Sequence, residues 1–247
     1  MASASNKFDY MVIWDDAMSL LQKYQSALFP IAAVFIFLPN LILGYFAPEP
    51  DTAEAQSLKE IVQIYGVYFN ENLWLILPMT LVGIFGGLAV YHLLVRGNGR
   101  TIGEVLSGAA AIFIPYFLVS ILSGFMVAAA ALFFIIPAFY VAGRLYPLAA
   151  IVANKDHDGI IGAISKSWEM TKGRGWSIIF LVFVVAFVAV VASSVIMLLF
   201  GLMINLILGD SGKILLVALD SVFQAVLVIL MSALGVSIYN QLKKIGN

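Results

Sequence analysis

Arg144 is the residue whose chemistry fits its surroundings least, because it lies in the otherwise apolar stretch FFIIPAFYVAGRLYPLAAIV at 133–152. A guanidinium within a membrane span can bind an anion, or it can donate to backbone carbonyls that a bent helix leaves free. Pro137 and Pro147 flank it and predict a break or kink in the helix. Arg144 is about 12 Å from the end of the stretch, so its side chain can extend part of the way to the headgroups. This depth favours an arginine that braces the bend or holds a lipid phosphate over one that binds a substrate anion.

Two carboxylates complete the candidate buried polar or lipid-phosphate site. Asp220 follows Lys213 within an apolar run and is expected about 10 Å from the opposite surface, too far from Arg144 for contact. Glu104 begins an apolar run on the same side as Arg144 and is the better predicted partner for it. The candidate partners of Asp220 are Asn205, Gln224, Ser221 and Lys213.

The composition argues against several classes of function. The chain has no Cys and only two His, His92 and His157, so it offers no thiol nucleophile and no usual zinc site. It carries no nucleotide-binding motif, and its net charge of −1 is atypical of a nucleic-acid partner. We therefore expect no cofactor, no metal and no catalytic residues.

The same composition predicts a membrane protein. Of the 247 residues, 62% are hydrophobic and only 11% are charged, whereas soluble domains carry about 25% charged residues. Apolar runs of roughly 20 residues are long enough to cross a bilayer as helices. The predicted spans are about 27–47, 73–95, 104–123, 125–152, 177–208 and 213–240, with a turn between the third and fourth at Ser123-Gly124. The prediction is an all-α polytopic bundle that forms a single domain over 1–247.

The distribution of Lys and Arg predicts the orientation of the bundle. Of the thirteen, ten lie on one side of the predicted spans, and only Lys59 and Lys213 lie on the other. The ten are Lys7, Lys23, Arg96, Arg100, Lys155, Lys166, Lys172, Arg174, Lys243 and Lys244. The positive-inside rule places these ten, and with them both termini, in the cytoplasm. Lys166, Lys172 and Arg174 form an interfacial basic patch that should attract anionic lipid.

Two segments on the basic side have apolar residues at helical spacing and are predicted to be amphipathic helices in the plane of the headgroups. The first, 8–24, precedes the first span. The second, 159–172, has a predicted apolar stripe and follows the fourth span. The residues of that stripe are Ile160, Ile161, Ile164, Trp168 and Thr171.

The stretch from Pro137 through Arg144 and Pro147 to GIIGAISKSWEMTKGRGWSIIFL at 159–181 resembles the YciC-like bacterial inner-membrane proteins. It is also similar to the membrane domain attached to some glycerophosphoryl diester phosphodiesterases. The resemblance implies a six-span helical protein of the bacterial inner membrane. The phosphodiesterase activity belongs to a separate soluble domain, which is not expected here because the spans take up the chain.

These features favour a non-enzymatic integral protein that binds or organises lipids or other membrane proteins in envelope maintenance. The predicted partners are membrane lipids, with other membrane proteins or a second copy of the chain as further possibilities. Two alternatives stay open at this point: a transporter or lipid translocator that uses the broken helix around Pro137–Pro147, and an enzyme that acts on lipid headgroups.

Overall fold

The structure, a computed structural model, describes residues 8–246 apart from the side chain of Asp210, and this part of the chain is helical with no strand. Lys7, which was counted among the cytoplasmic cations, and the two ends of the predicted domain lie outside the described residues. In chain order the helices are α1 (Tyr10–Ala32), a π-helical turn (Ala33–Phe37), α2 (Leu38–Phe46), α3 (Leu58–Arg96), α4 (Ile102–Ala110), α5 (Phe113–Phe133), α6 (Ile135–Leu145), α7 (Leu148–Ala153), α8 (Gly159–Met170), α9 (Gly175–Leu208), a 3₁₀ turn (Gly209–Gly212) and α10 (Lys213–Gly246).

Six segments are long and apolar enough to cross a membrane, which confirms the all-α polytopic bundle. They are Tyr10–Phe46, Leu58–Arg96, Phe113–Phe133, Ile135–Ala153, Gly175–Leu208 and Lys213–Gly246. Four predicted spans, the first, second, fifth and sixth, coincide with or lie almost entirely within these segments. The chain is therefore a multi-pass membrane protein.

The predicted boundary between the third and fourth spans is wrong. Helix α5 passes straight through Ser123-Gly124, and the chain turns at Phe134, whose backbone is extended with φ −164° and ψ 155°. Pro137 consequently lies in the first turn of α6 and does not break a helix, because the amide groups of a first turn have no partner within the helix. Pro147 does separate two helices, α6 and α7, as predicted.

The predicted third span, 104–123, is also interrupted by a turn. Helix α4 ends at Ala110, and α5 begins at Phe113 after a short connection at Ala111 and Ile112. Because α4 belongs to none of the six candidate spans, residues 104–110 precede the third span, which runs from Phe113 to Phe133.

The N-terminal amphipathic helix is not a separate interfacial element. Residues 10–46 form one continuous helical path, in which α1 passes through the π-helical turn into α2. The apolar stripe of α1 packs on α10, with Ile13 and Ala17 fully buried. Gln241 of α10 donates to the carbonyl of Asp9 at 3.1 Å and fixes the start of α1 there. Part of the apolar pattern therefore reflects helix–helix packing, although Met11 and Val12 are exposed.

Helix α8 is a separate amphipathic helix, as predicted, and most of the predicted stripe faces the core: Ile160, Ile164 and Trp168 are partly buried against it. Ala163, Ser167 and the following Thr171 are fully buried, whereas Ile161 is 77% exposed. Two of the three buried positions carry hydroxyl groups, which suits a helix that donates hydrogen bonds to a neighbour.

The core of the bundle is concentrated at the end where the Lys and Arg residues cluster, which we call the basic end. Leu88, Leu93 and Ile151 are fully buried there in one cluster. Leu234 and Ile238 of α10 are fully buried in a second cluster with Ile13 of α1 and Ile178 of α9. At the opposite end, the turn between α5 and α6 and the end of α9 are strongly exposed. Side chains are thus buried mainly in one half of the bundle.

Candidate functional site

Arg144 lies in the last turn of α6 and is only 6% exposed. Each nitrogen of its guanidinium donates a hydrogen bond. Nε donates to the hydroxyl of Thr171 at 2.8 Å, Nη1 to the hydroxyl of Tyr140 at 2.8 Å, and Nη2 to the backbone carbonyl of Trp168. Two of these acceptors belong to α8 or the residue that follows it, so the arginine joins α6 to α8.

Two aromatic rings cover the guanidinium. Its central carbon lies 4.5 Å from the ring centroid of Trp168 and 5.6 Å from that of Tyr140. A cation over an aromatic face is attracted to the ring quadrupole, and the attraction grows when water is excluded. Among the described side chains no carboxylate forms an ion pair with Arg144. Neutral acceptors and aromatic faces therefore balance the buried charge.

The backbone of Arg144 is held by the same helix. Its carbonyl oxygen accepts a hydrogen bond from the hydroxyl of Ser167 at 2.8 Å. The hydroxyl of Thr171 in turn donates to the carbonyl of Ser167 at 2.6 Å while it accepts from the arginine. Residue 144 is thus fixed through its main chain and its side chain by two hydroxyl residues one helical turn apart.

A close approach between two glycines brings the start of α9 to the same place. A Cβ atom on Gly143 would lie 2.4 Å from the carbonyl oxygen of Gly175, and one on Gly175 would lie 2.8 Å from Cδ of Arg144. Only residues without a side chain fit at this separation. The junction of α6, α8 and α9 is therefore closely packed around Arg144; we call it the Arg144 junction.

Glu104 was predicted to pair with Arg144, and this prediction is wrong. Its carboxylate accepts from the backbone N–H of Thr101 at 2.8 Å and from the Thr101 hydroxyl at 3.0 Å, and Glu104 is exposed. The two residues form a capping box at the start of α4. The backbone hydrogen bond from Thr101 also lowers the pKa of the Glu104 carboxyl. A local helix cap thus takes the place of the predicted long-range ion pair.

Asp220 is not buried, and no hydrogen bond joins it to Arg144. It is exposed on α10, and no hydrogen bond or ion pair joins it to another described side chain, including the four predicted partners. It lines two cavities, both together with Gln224. The three residues of the predicted buried polar site therefore belong to three different places.

The three residues of the predicted basic patch differ in their contacts: one forms an ion pair, and the other two do not. Lys166 forms an ion pair with Asp156, with Nζ 2.5 Å from Oδ1. Lys172 is exposed and Arg174 half-buried, and neither forms an ion pair within the described part of the chain. Trp176 follows them and is 54% exposed, with its ring 5.7 Å from that of Tyr140.

Asp156 is the centre of a polar network that the sequence did not predict. Besides Lys166, it accepts from the hydroxyl of Tyr239 at 2.7 Å and lies 3.5 Å from Nζ of Lys243. Hydrogen bonds from Lys166 and Tyr239 lower the pKa of Asp156 from 3.8 to about 2. The only sequence signal was the polar turn NKDHDG at 154–159, which identifies no partner.

The first residue of this turn extends the network to a third helix. Asn154 donates from its side chain to the hydroxyl of Tyr239 at 2.8 Å, and its carbonyl accepts from Arg96 at 2.6 Å. The end of α3, the 154–158 turn, α8 and the end of α10 are therefore joined at the basic end.

No family model, curated protein or solved structure matches the chain.

Proposed function

We propose that the protein is a non-enzymatic integral protein of a bacterial inner membrane. It binds and organises anionic lipids at its basic end and so supports the maintenance of the cell envelope. In this proposal the basic end and both termini face the cytoplasm, as the positive-inside rule predicts. The 137–181 stretch, which resembles the YciC-like proteins, supports a location in a bacterial inner membrane. Other membrane proteins and a second copy of the chain are further proposed partners.

The observation that carries this proposal is the arrangement of Lys172, Arg174 and Trp176 at the start of α9. Both cations are free of carboxylates among the described side chains, and the exposed indole lies within two residues of Arg174. Basic residues beside a Trp are typical of the headgroup level, where each cation near an anionic surface contributes about 1 kcal/mol. The closely packed Arg144 junction holds this segment in place.

In this proposal Arg144 itself does not contact lipid. Its three nitrogens already donate to protein acceptors, and its side chain is covered by Trp168 and Tyr140. Transport of a substrate past the Pro137–Pro147 segment would require a cavity that reaches Arg144. Because the guanidinium is enclosed by protein, the structure favours lipid binding over transport. Arg144 therefore supports lipid binding by positioning α8 and the start of α9.

The test is native mass spectrometry of the protein released from nanodiscs that contain equal amounts of phosphatidylglycerol and phosphatidylcholine. Wild type should retain phosphatidylglycerol preferentially. A variant with Lys172→Gln and Arg174→Gln should lose about 2 kcal/mol of this preference, or roughly thirtyfold in affinity. The matched control carries Lys59→Gln and Lys213→Gln, which remove two exposed cations near the opposite end. Equal retention of phosphatidylglycerol in both variants would refute the proposal.

A further inference from the structure

The half of α10 away from the basic end lines two cavities that share their polar residues. One, of about 430 Å³, lies between α10, the end of α2, α3 and α9, and the other, of about 270 Å³, lies between α9 and α10. Asp220 and Gln224 line both, so we call the pair of cavities the Asp220 groove. Along α10 it extends from Leu216 to Leu230, which is about 21 Å of helix.

The groove has apolar walls, and most of its neutral polar groups are already engaged. Asn40, Tyr68 and Ser193 each donate to a nearby backbone carbonyl at 2.8–2.9 Å. Aliphatic, aromatic and thioether side chains supply much of the remaining surface. They include Leu43, Met197, Leu216, Val217, Phe223 and Leu227. Such walls suit a hydrocarbon body, as in most small-molecule sites.

Three polar residues of the groove are exposed, and their side chains have no hydrogen-bond partner among the described residues: Asp220, Glu49 and Gln224. Among the described residues, no Lys, Arg or His lines either cavity. A carboxylate within a span is costly unless something pairs with it, and such residues often mark ligand or ion pathways. The groove thus offers negative charge and hydrogen-bond acceptors with no basic side chain along its walls.

From this combination we infer that the Asp220 groove binds an amphiphilic organic cation, with a primary ammonium group at Asp220 and Gln224 and an apolar body along α9 and α10. The ammonium donates to the carboxylate of Asp220, and such charge-assisted bonds are stronger than neutral ones. The amide oxygen of Gln224, one helical turn further, accepts a second N–H group. A phospholipid headgroup fits less well, because its phosphate would face two carboxylates with no basic residue beside them.

This inference goes beyond the proposed function, because it concerns the opposite half of the bundle and the opposite sign of charge.

The probe is n-octylamine, which is protonated at neutral pH, and the neutral control ligand is n-octanol. Thermal unfolding of the protein in phosphatidylcholine nanodiscs reports binding, since a ligand that binds only the folded state raises the Tm. We expect n-octylamine to raise the Tm of wild type and n-octanol to leave it unchanged.

Three variants locate the site. Asp220→Asn should weaken the affinity for n-octylamine by about tenfold or more, because it removes a charge-assisted hydrogen bond. Asp220→Glu keeps the charge and should keep most of the binding. Glu54→Gln is the matched control, because Glu54 is an exposed carboxylate outside both cavities.

Either of two results would overturn the inference. The first is an equal rise in Tm with n-octanol, which needs no variant and shows simple partitioning of a hydrocarbon. The second is an unchanged response to n-octylamine in folded Asp220→Asn. The variant with Lys172→Gln and Arg174→Gln should respond to n-octylamine as wild type does, so this test and that of lipid binding can fail independently.

Discussion

The hydroxyl of Ser167 donates to the backbone carbonyl of Arg144 at 2.8 Å, although the two residues are 23 positions apart. The side chain of the same arginine donates to Thr171, one helical turn beyond Ser167. A short amphipathic helix thus holds the last turn of α6, close to the point where Pro147 interrupts the span. This relationship explains why an arginine can be retained in an apolar stretch, and it sets the expected effects of substitutions at the junction.

Replacing Arg144 by Leu should destabilise the protein by about 2–4 kcal/mol, because the hydroxyl of Tyr140, the hydroxyl of Thr171 and the carbonyl of Trp168 each lose a donor. Arg144→Lys should be intermediate, since an ammonium keeps the charge but cannot reproduce the planar fork of donors. Unfolding in mixed micelles with increasing dodecyl sulfate measures the effect. Phosphatidylglycerol retention by the folded fraction should fall only in part, because Arg144 positions the start of α9 without contacting lipid itself. An Arg144→Leu protein as stable as wild type would contradict the bracing role.

Thr171→Val should cost about 1–3 kcal/mol, because it keeps the shape of the side chain but leaves Nε of the buried arginine without its acceptor. Thr80→Val is the matched control: Thr80 is exposed on α3 and has no role at the Arg144 junction. The two variants are compared in the same unfolding experiment. Equal stabilities for the two would show that the hydroxyl of Thr171 contributes nothing.

Gly143→Ala should destabilise the protein by about 1–3 kcal/mol, because the added methyl group would overlap the carbonyl oxygen of Gly175 and force α6 and α9 apart. The control is Gly87→Ala, since a Cβ on that helical glycine meets no atom within 4 Å. This control should be neutral or stabilising by up to about 1 kcal/mol. Thermal unfolding of both variants tests the difference, and a neutral Gly143→Ala would show that the close approach is not required.

The spans could be predicted from sequence because a long apolar run requires only composition to be recognised. The fifth span was predicted as 177–208 and is Gly175–Leu208. The predicted boundary between the third and fourth spans was wrong because composition does not mark a turn inside a continuous apolar run. The signal that could have located it was Pro137, since proline is favoured in the first turn of a helix and therefore indicates a helix start just before it.

The candidate site was predictable only in part. Arg144 was found because a charge is rare in a span, and Pro147 because proline ends helices. The hydrogen-bond partners of Arg144 were not predicted, because Ser167 and Thr171 are neutral residues 23 and 27 positions away and follow no spacing rule. They lie in the 159–181 stretch together with Trp168, and each of these three residues contacts Arg144. The physical role of those positions became visible only in the structure.

The network around Asp156 predicts a dependence of stability on pH. The pKa of Asp156 is lowered in the folded protein to about 2, so the folded state favours the ionised form more than the unfolded state does. Its contribution is fully present above the ordinary value of 3.8 and is lost as the pH falls from there to about 2. Lys166 and Lys243 are partly exposed, so each ion pair contributes only about 0.2–1 kcal/mol.

Asp156→Asn should therefore be less stable than wild type at pH 7, and the difference should shrink as the pH falls from about 5 towards 2. Added salt should reduce the same difference, because it screens exposed ion pairs. The matched control is Asp158→Asn, at a neighbouring exposed carboxylate for which the structure shows no ion pair. Unfolding curves for the three proteins across this pH range measure the effect. A difference between wild type and Asp156→Asn that stays constant from pH 7 to pH 2 would show that the carboxylate charge does not hold the 154–158 turn to α8 and α10.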